Sequence, residues 1–348
     1  MFDFTDVQIE NLVIHKVGNK MRDEEYVLSK HEYLNLDENL RGLLLKYFLS
    51  PFKSDIFYRF NHETDINLNE VYHYINNTMD NHSSFYDQSV NILKHLYNKS
   101  SHPRIKGGEF YMVALKNCIV NNQLTNAVGL FKSENKDTYL KVTQNQSSIV
   151  VDYEYGININ NLDKGCIIFN IQNSEGYLVS IVDTSSTIEA QYWKKDFLGL
   201  SLINNEHLQT KTHLKIITDF SNRYLSEDKQ ENAALKQRTL KYFSENEYFD
   251  INNFSDQVFK DNQLVDSFIE YKENRIEKLG VQNESKFPIS SQIVTQVKKQ
   301  FKNIISLDNN VDIVVKSETE RDISRFIERG FDEDKGLSYY KIFFHTEK

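Results

Sequence analysis

The stretch of residues 161–200 constrains the fold more than any other part of the chain. It contains two short apolar runs rich in β-favouring residues, at 166–169 and 177–182, separated by the polar residues 173–176. Polar residues of this kind suit a hairpin turn, so the two runs predict an antiparallel pair of strands. Because two strands alone cannot bury both faces, the pair predicts a larger sheet.

Apolar patterns before this stretch supply further members of that sheet. Residues 7–17 and 26–29 are typical of an opening hairpin, and residues 107–115, 125–131 and 138–142 are typical of strands. The strand pattern at 107–115 opens with two glycines, which indicate a tight entry or a close approach of the backbone.

Helical spacing of apolar residues occurs at 36–48, around 71–75 and at 86–97. Asp37 near the start of the first pattern complements the helix dipole, and Pro51 closes that helix. We therefore expect an α+β fold, with a mostly antiparallel sheet and flanking helices on one side of it.

Beyond residue 200 the pattern changes to helices. Gly280 is placed as the residue after a helix end. A further helix at 291–301 and strands at 311–315 and 339–344 predict a small C-terminal α/β element. We expect an α+β sheet domain at 1–200, a helical segment at 201–285 and the C-terminal element at 286–348. The helical patterns of the middle segment cover residues 210–224, 228–243, 254–259 and 263–279.

Composition limits the class of protein. The 348 residues with 39% hydrophobic content can form a sizeable core, and a net charge of −9 excludes a uniformly basic surface. A local basic face is still compatible with that net charge. A phosphate responds mainly to charges within about 8–10 Å, because salt screens the more distant ones. Cys118 and Cys166 lie in apolar surroundings, so we expect buried free thiols. The acidic N-terminus and the lack of a bilayer-length apolar run predict a soluble, intracellular protein that does not bind membranes.

Enzyme motifs are missing from the sequence. It contains no nucleotide-binding glycine pattern, no GxSxG, no HExxH and no CxxC. The ten histidines are scattered without metal-ligand spacing. Glu284-Ser285-Lys286 matches half of a metal-dependent nuclease pattern, but no strand Asp precedes it at close range. We therefore predict no catalytic residues, no metal ligands and no cofactor.

Two windows of the chain contain basic residues and no acidic ones. Residues 88–108 and 286–302 both lack Asp and Glu, and charge segregation of this kind is typical of proteins that bind polyanions. At helical spacing, Lys298, Lys299 and Lys302 share one face, from which ammonium groups can contact phosphates. The alternative interpretation is a solvated helix face. The predicted DNA-binding residues are Lys94, Lys99, Arg104, Lys106, Lys194, Lys195, Lys298, Lys299 and Lys302.

Lys286 also supplies charge in the second window. The weaker candidates are Lys194 and Lys195, together with Arg321, Arg325 and Arg329, which recur at helical spacing. Trp193, beside Lys194 and Lys195, is more typical of a core or interface anchor than of a base-stacking residue.

The chain resembles the bacterial 37-kDa nucleoid-associated protein family, the YejK/NdpA-like proteins. The resemblance lies in ENLVIHKV with YVLS, SFYDQSVNILKHLY, the Gly107-Gly108 strand entry, NLDKGCIIF and YWKKDFLGL, in the family's order. Residues 162–166 (LDKGC) are similar to the family's L-D-K-A-A, with Gly165 and Cys166 at the small apolar positions. For Asp163 and Lys164 we expect a local ion pair or turn rather than a DNA contact.

The resemblance implies a cytoplasmic DNA-binding protein of the nucleoid, without known catalytic residues. Together with the charge pattern, it favours a non-enzymatic protein that contacts duplex phosphates with little sequence preference. An adaptor that binds a DNA-processing protein through its acidic helical segment is the alternative, and a metal-dependent nuclease is the third. The sequence leaves the oligomeric state open, including a homodimer.

Overall fold

The structure, a computed structural model, describes residues 2–33, 35–54, 56–80, 85–145, 148–184, 192–300, 303–306, 311–315 and 326–346. The chain forms two compact units, one up to Ile203 and one from Asn204. We call them unit 1 and unit 2.

Unit 1 contains a large antiparallel sheet. The strands of unit 1 are β1 (Phe2–Asp3), β2 (Gln8–Val17), β3 (Tyr58–Phe60), β4 (Gly108–Val120), β5 (Gln123–Ser133), β6 (Asp137–Asn145), β7 (Ser148–Gly156), β8 (Lys164–Phe169), β9 (Leu178–Asp183) and β10 (Leu200–Leu202). The strand order in the large sheet is β1-β4-β5-β8-β9-β3-β10, and β2 also pairs with β4. The hairpin predicted around residues 173–176 is confirmed, because β8 and β9 pair antiparallel from Lys164–Asp183 to Phe169–Leu178.

Helices cover both faces of this sheet, so the expectation of helices on one side is wrong. α2 (Glu70–Asp80), α3 (Phe85–Lys99) and a π-helix (Tyr192–Phe197) pack on one face. α1 (Glu38–Leu49) packs on the other through Tyr47, Phe48 and Leu49. All six residues of β8 are buried, as a strand covered on both faces requires.

Two strand predictions are also corrected. β2 pairs along its length with β4, and residues 26–29 join it only through a bridge between Lys16 and Val27, so they do not form an opening hairpin. The run at 138–142 is a strand, but it belongs to a separate hairpin of β6 and β7. It stays outside the large sheet because β5 pairs directly with β8.

Unit 2 is built from helices around its own aromatic core. Asp228 caps the second of these helices. Gly280 takes a left-handed conformation after the fourth, as the sequence predicted. The elements are α4 (Glu206–Tyr224), α5 (Lys229–Glu245), β11 (Tyr248–Asp250), α6 (Ile251–Val258), α7 (Asn262–Leu279), β12 (Lys286–Pro288), α8 (Ser291–Gln300), β13 (Asn303–Ser306), β14 (Asp312–Val315), β15 (Ile327–Asp332) and β16 (Leu337–Ile342). The short strands pair as β11-β12, β13-β14 and β15-β16.

Among the described residues, no helix is both long enough and apolar enough to cross a membrane.

Candidate nucleic-acid interface

The C-terminal end of α3, the loop that follows it and the π-helix lie together on one face of the sheet of unit 1. The hydroxyls of Ser100 and Tyr192 are 2.9 Å apart and share a buried hydrogen bond. Nε2 of His95 is 3.1 Å from the carbonyl oxygen of Phe197. These two contacts fix α3 against the π-helix, although the segments are about a hundred residues apart in sequence.

The side chain of Asn19, which is fully buried, holds the loop at residues 100–107 in place. The amide of Asn19 donates to the carbonyl oxygens of His102 at 2.9 Å and Ile105 at 2.5 Å. Lys132 adds a third contact, because its Nζ donates to the carbonyl oxygen of Lys106 at 2.6 Å. The same Nζ lies 5.6 Å from the ring of Tyr192, so the loop also lies near the start of the π-helix.

These three segments carry the predicted basic residues of unit 1. Within the described part of the chain, none of them has a carboxylate within ion-pair distance. Some other lysines of unit 1 are paired, such as Lys116 with Glu10, Lys136 with Glu109 and Lys141 with Glu154. Lys16, Lys20, Lys30, Lys46 and Lys53 have no ion pair among the described residues either, but they lie on other segments of the unit. We call the set the basic surface; it consists of Lys94, Lys99, Arg104, Lys106, Lys194 and Lys195.

The members of the basic surface differ in exposure. Lys94, Arg104, Lys106 and Lys195 are exposed, and Lys106 also donates to Asn135. Lys194 is half-buried with its Nζ 4.3 Å from the centre of the Tyr58 ring. Burial, and then the neighbouring charge of Lys195, lower the pKa of Lys194.

A carboxylate borders this surface at His95. Nδ1 of His95 is 3.7 Å from the carboxylate of Glu70 on α2. Burial lowers the pKa of His95 although Glu70 and the Phe197 carbonyl raise it, and the charge of Lys99 lowers it further. His95 therefore acts here as a neutral link between α3 and the π-helix.

In unit 2, the window at 286–302 contains no acidic residue along the chain, but carboxylates from other segments lie close to two of its lysines in the structure. Lys298 is exposed on α8 and lines a pocket together with Glu245 and Glu247. Lys286 lines a second pocket with Asp250 and Asp256. Arg329 donates to the backbone carbonyl of Glu227. The side chain of Lys299 and all of Lys302, Arg321 and Arg325 lie outside the described residues.

The Leu-Asp-Lys motif has the structural role that we expected. Asp163 is buried, and its carboxylate accepts hydrogen bonds from the backbone N–H groups of Glu134 and Asn135. Lys164 is 1% exposed and donates to Asp183 at 2.9 Å. The motif thus has a structural role: Asp163 holds the backbone at 134–135, and Lys164 forms an ion pair with the neighbouring strand instead of a local one. Lys164 is therefore not accessible to DNA.

Sequence analysis missed a second buried lysine beside this motif. Lys132 pairs with Lys164 across β5 and β8, and its Nζ donates to Glu134 at 2.7 Å. Burial lowers the pKa of Lys132, while the Glu134 carboxylate raises it. The signal in the sequence was a lysine directly after the apolar run at 127–131, with Glu134 two residues further on. Trp193 is fully buried in the core, as expected.

The residues considered for catalysis do not form a cluster. Glu284 accepts a hydrogen bond from the Asn204 side chain. Among the described residues, no group of three or more His, Cys, Asp or Glu side chains is positioned to hold a metal ion. Cys118 and Cys166 are free and buried, and burial raises the pKa of the Cys118 thiol to about 12.

Comparison with known families decides the assignment of this chain. Residues 13–335 match the NA37 family, described as nucleoid-associated protein YejK, which is nearly the whole chain. The chain belongs to this family. No curated protein matches the sequence. Membership in the NA37 family assigns the chain a nucleoid-associated role and a place at the nucleoid in the cytoplasm, as the resemblance implied.

Proposed function

We propose that this NA37 protein is a non-enzymatic DNA-binding protein whose basic surface contacts duplex phosphates. One observation carries the proposal: six cations on three packed segments lack carboxylate partners among the described residues. Phosphates supply the missing counter-charges, and displaced counterions supply much of the binding free energy. The exposed ammonium and guanidinium groups can contact phosphates of any sequence, so we propose binding with little sequence preference.

The overall charge of −9 makes the position of these cations important. At physiological salt, the repulsion between DNA phosphates and distant carboxylates is screened over about 8–10 Å. The attraction between a phosphate and Lys99 or Arg104 in direct contact with it is screened much less. The proposal therefore requires close docking of the duplex against α3 and its loop. Affinity should fall steeply as salt increases.

The test compares two variants with the same change in charge. The first replaces unpaired lysines (Lys94→Gln, Lys99→Gln, Lys195→Gln). The control replaces ion-paired lysines of the same unit (Lys116→Gln, Lys136→Gln, Lys141→Gln). Fluorescence anisotropy with a duplex of mixed sequence, repeated across a salt series, gives the slope of log Kobs against log salt.

We expect the first variant to bind every duplex more weakly and to lose about 0.9 of slope per phosphate contact, up to about 2.7. The control should retain the wild-type slope, since its lysines are already paired. Equal slopes for the two variants would show that total charge, and not the basic surface, governs binding.

A second DNA-contact face is still a prediction, and it consists of Lys298, Lys299 and Lys302. Reversing the three charges should weaken binding to all sequences alike if this face contacts DNA. Because Glu245 and Glu247 line the same pocket as Lys298, we propose a smaller effect per residue here than at Lys99. The same salt series measures both.

A second candidate function is supported by a cluster of carboxylates in unit 2. Glu245, Glu247, Asp250 and Asp256 line one open pocket, which suits a basic segment of a DNA-processing protein. A pull-down from nuclease-treated lysate tests this adaptor role, because a protein contact survives the removal of DNA. The triple variant Glu245→Gln, Glu247→Gln, Asp256→Asn should lose the captured protein, and unchanged capture would reject the pocket as its site. The variant retains Asp250 because this residue caps α6.

A further inference from the structure

The hairpin of β6 and β7 has one apolar face that no other part of the described chain covers. Each strand has nine residues, and the register pairs Leu140 with Tyr153 and Val142 with Val151. Side chains alternate between the two faces of a hairpin, so paired residues and every second residue share a face. The apolar face carries Leu140, Val142, Ile149, Val151, Tyr153 and Tyr155.

The opposite face of the same hairpin is polar. It carries the ion pair of Lys141 with Glu154, together with Asp137, Asp152 and Thr143. Two larger apolar side chains, Tyr139 and Val150, also lie on this face and are less exposed than those of the apolar face. This alternation separates a charged, solvated face from one that has no charged residue at all. Such a pattern is typical of a sheet with one side packed against an apolar partner.

The six side chains of the apolar face are 57–78% exposed. Tyr153 and Tyr155 contact each other edge to face, with ring centres 5.6 Å apart, but no buried cluster includes them. An isolated two-stranded hairpin is marginally stable in water unless its apolar face is packed. A surface that covers this face therefore adds to the stability of the hairpin.

We propose that a second copy of this chain supplies that surface, by packing its own hairpin face to face against the first. The apolar face needs a partner face that is equally free of charge, and a two-fold dimer brings the same residues together from both copies. A two-fold axis across the strands places Tyr153 of one copy over Val151 of the other, and Tyr155 over Ile149. Large side chains then lie over smaller ones at the roughly 10 Å spacing of stacked sheets.

The available area agrees with a dimer of this kind. Six side chains of these exposures present on the order of 700 Å², close to the roughly 800 Å² that each partner contributes to a standard-size interface. Thr138 and Gln144 at the two ends of the face provide a polar rim. The polar face with Lys141 and Glu154 then remains in solvent.

The test uses two neighbouring valines on opposite faces of β7. Val151→Glu places a carboxylate in the proposed interface, whereas Val150→Glu places it on the polar face, where Val150 is 43% exposed. Sedimentation equilibrium of the full-length proteins over a micromolar concentration series gives the dimer dissociation constant. We expect a wild-type dimer, an increase of at least tenfold in its dissociation constant for Val151→Glu, and a wild-type value for Val150→Glu.

Far-UV circular dichroism checks the fold of each variant. If Val151→Glu does not fold, the milder pair Val142→Thr, Val151→Thr replaces it, with Val150→Thr as its control, because threonine retains β-propensity. A monomeric wild type, a dimer unaffected by changes at Val151, or equal effects at Val150 and Val151 would each overturn the proposal.

Discussion

His15 shows how burial fixes the protonation state of a single residue. It is 2% exposed, and its Nδ1 accepts a hydrogen bond from the backbone N–H of Ser29 at 3.0 Å. Nε2 lies 3.0 Å from the hydroxyl of Ser89, which itself donates to the Tyr86 carbonyl. Because Nδ1 accepts, the ring is neutral with its proton on Nε2. A second proton would break the bond to Ser29.

This arrangement predicts acid destabilisation of unit 1. Burial lowers the pKa of His15 to about 4, from an unfolded value of 6.5. Between these values the unfolded chain binds more protons, so the free energy of unfolding decreases as pH falls from 6.5 towards 4. Urea unfolding of wild type and His15→Gln at pH 7.5 and 5.0 measures the effect, with the exposed His62→Gln as the control.

We expect His15→Gln to lower stability at pH 7.5 but to lose less between the two pH values than wild type or His62→Gln does. Identical pH dependence in all three proteins would contradict the assignment. His213 in unit 2 should add a parallel loss, because burial also lowers its pKa to about 4.

The buried lysines differ from those of the basic surface because each of them is paired with a carboxylate inside the fold. Lys132 and Lys164 are fully buried, but each donates to a carboxylate, Glu134 or Asp183. An unpaired charge at these depths would destabilise the fold by several kcal/mol, so each lysine needs its partner. The cations of the basic surface have no such partner among the described residues, and water can solvate the exposed ones until a polyanion binds.

At the scale of the elements, the loop at 100–107 depends on hydrogen bonds from the buried Asn19 side chain for its conformation. Asn19→Ala removes both donors that hold the His102 and Ile105 carbonyls, and changes no charge. We expect the loop to become mobile and DNA affinity to fall severalfold, since ordering Arg104 and Lys106 then costs entropy on binding. Anisotropy titrations at fixed salt measure this loss.

Asn67→Ala is a suitable control, because it removes an exposed asparagine whose amide bonds only to the Asp65 carboxylate. If Asn19→Ala binds DNA as tightly as this control, the geometry of the loop has no part in recognition.

The elements also show which features of the fold the sequence could predict. The β8–β9 hairpin and the end of α7 at Gly280 depend on turn and cap residues that are local in sequence, and both are confirmed. The partners of a strand are not a local property. Residues 138–142 have a correct strand pattern, but nothing within them indicates that β7 pairs with them instead of the large sheet.

Two features of the fold that depend on distant residues are nevertheless indicated by the local sequence pattern. The run CIIF in β8 is apolar at every position, which is typical of a strand covered on both faces, and α1 supplies the second cover. Alternating Ile149, Val151, Tyr153 and Tyr155 indicate a second strand with one apolar face, which is β7.

At the scale of the whole molecule, the candidate interface depends on contacts that no local pattern contains. Lys99 and Lys195 are nearly a hundred residues apart, and the packing of α3 on the π-helix brings their segments together. The sequence predicted that the windows 88–108 and 286–302 contain basic residues and no acidic ones along the chain. It could not predict that Lys298 shares a pocket with Glu245 and Glu247, because those carboxylates come from distant positions.

The two units of the chain have separate hydrophobic cores, which predicts two unfolding transitions. Phe131 belongs to a core of unit 1, where its ring stacks on Phe48 at 4.4 Å. Phe254 is buried in the core of unit 2 among Tyr242 and Phe249. Truncating a buried phenylalanine to alanine costs about 3–5 kcal/mol. Phe131→Ala should therefore lower the midpoint of one transition, and Phe254→Ala that of the other.

Differential scanning calorimetry of the full-length protein measures both midpoints. At roughly 2–4 °C per kcal/mol for units of this size, each variant should shift its own transition by about 6–20 °C and leave the second in place. Cores that unfold independently respond in this way because a cavity in one removes no contact from the other. A single transition that both substitutions lower would show instead that the two units unfold as one cooperative structure.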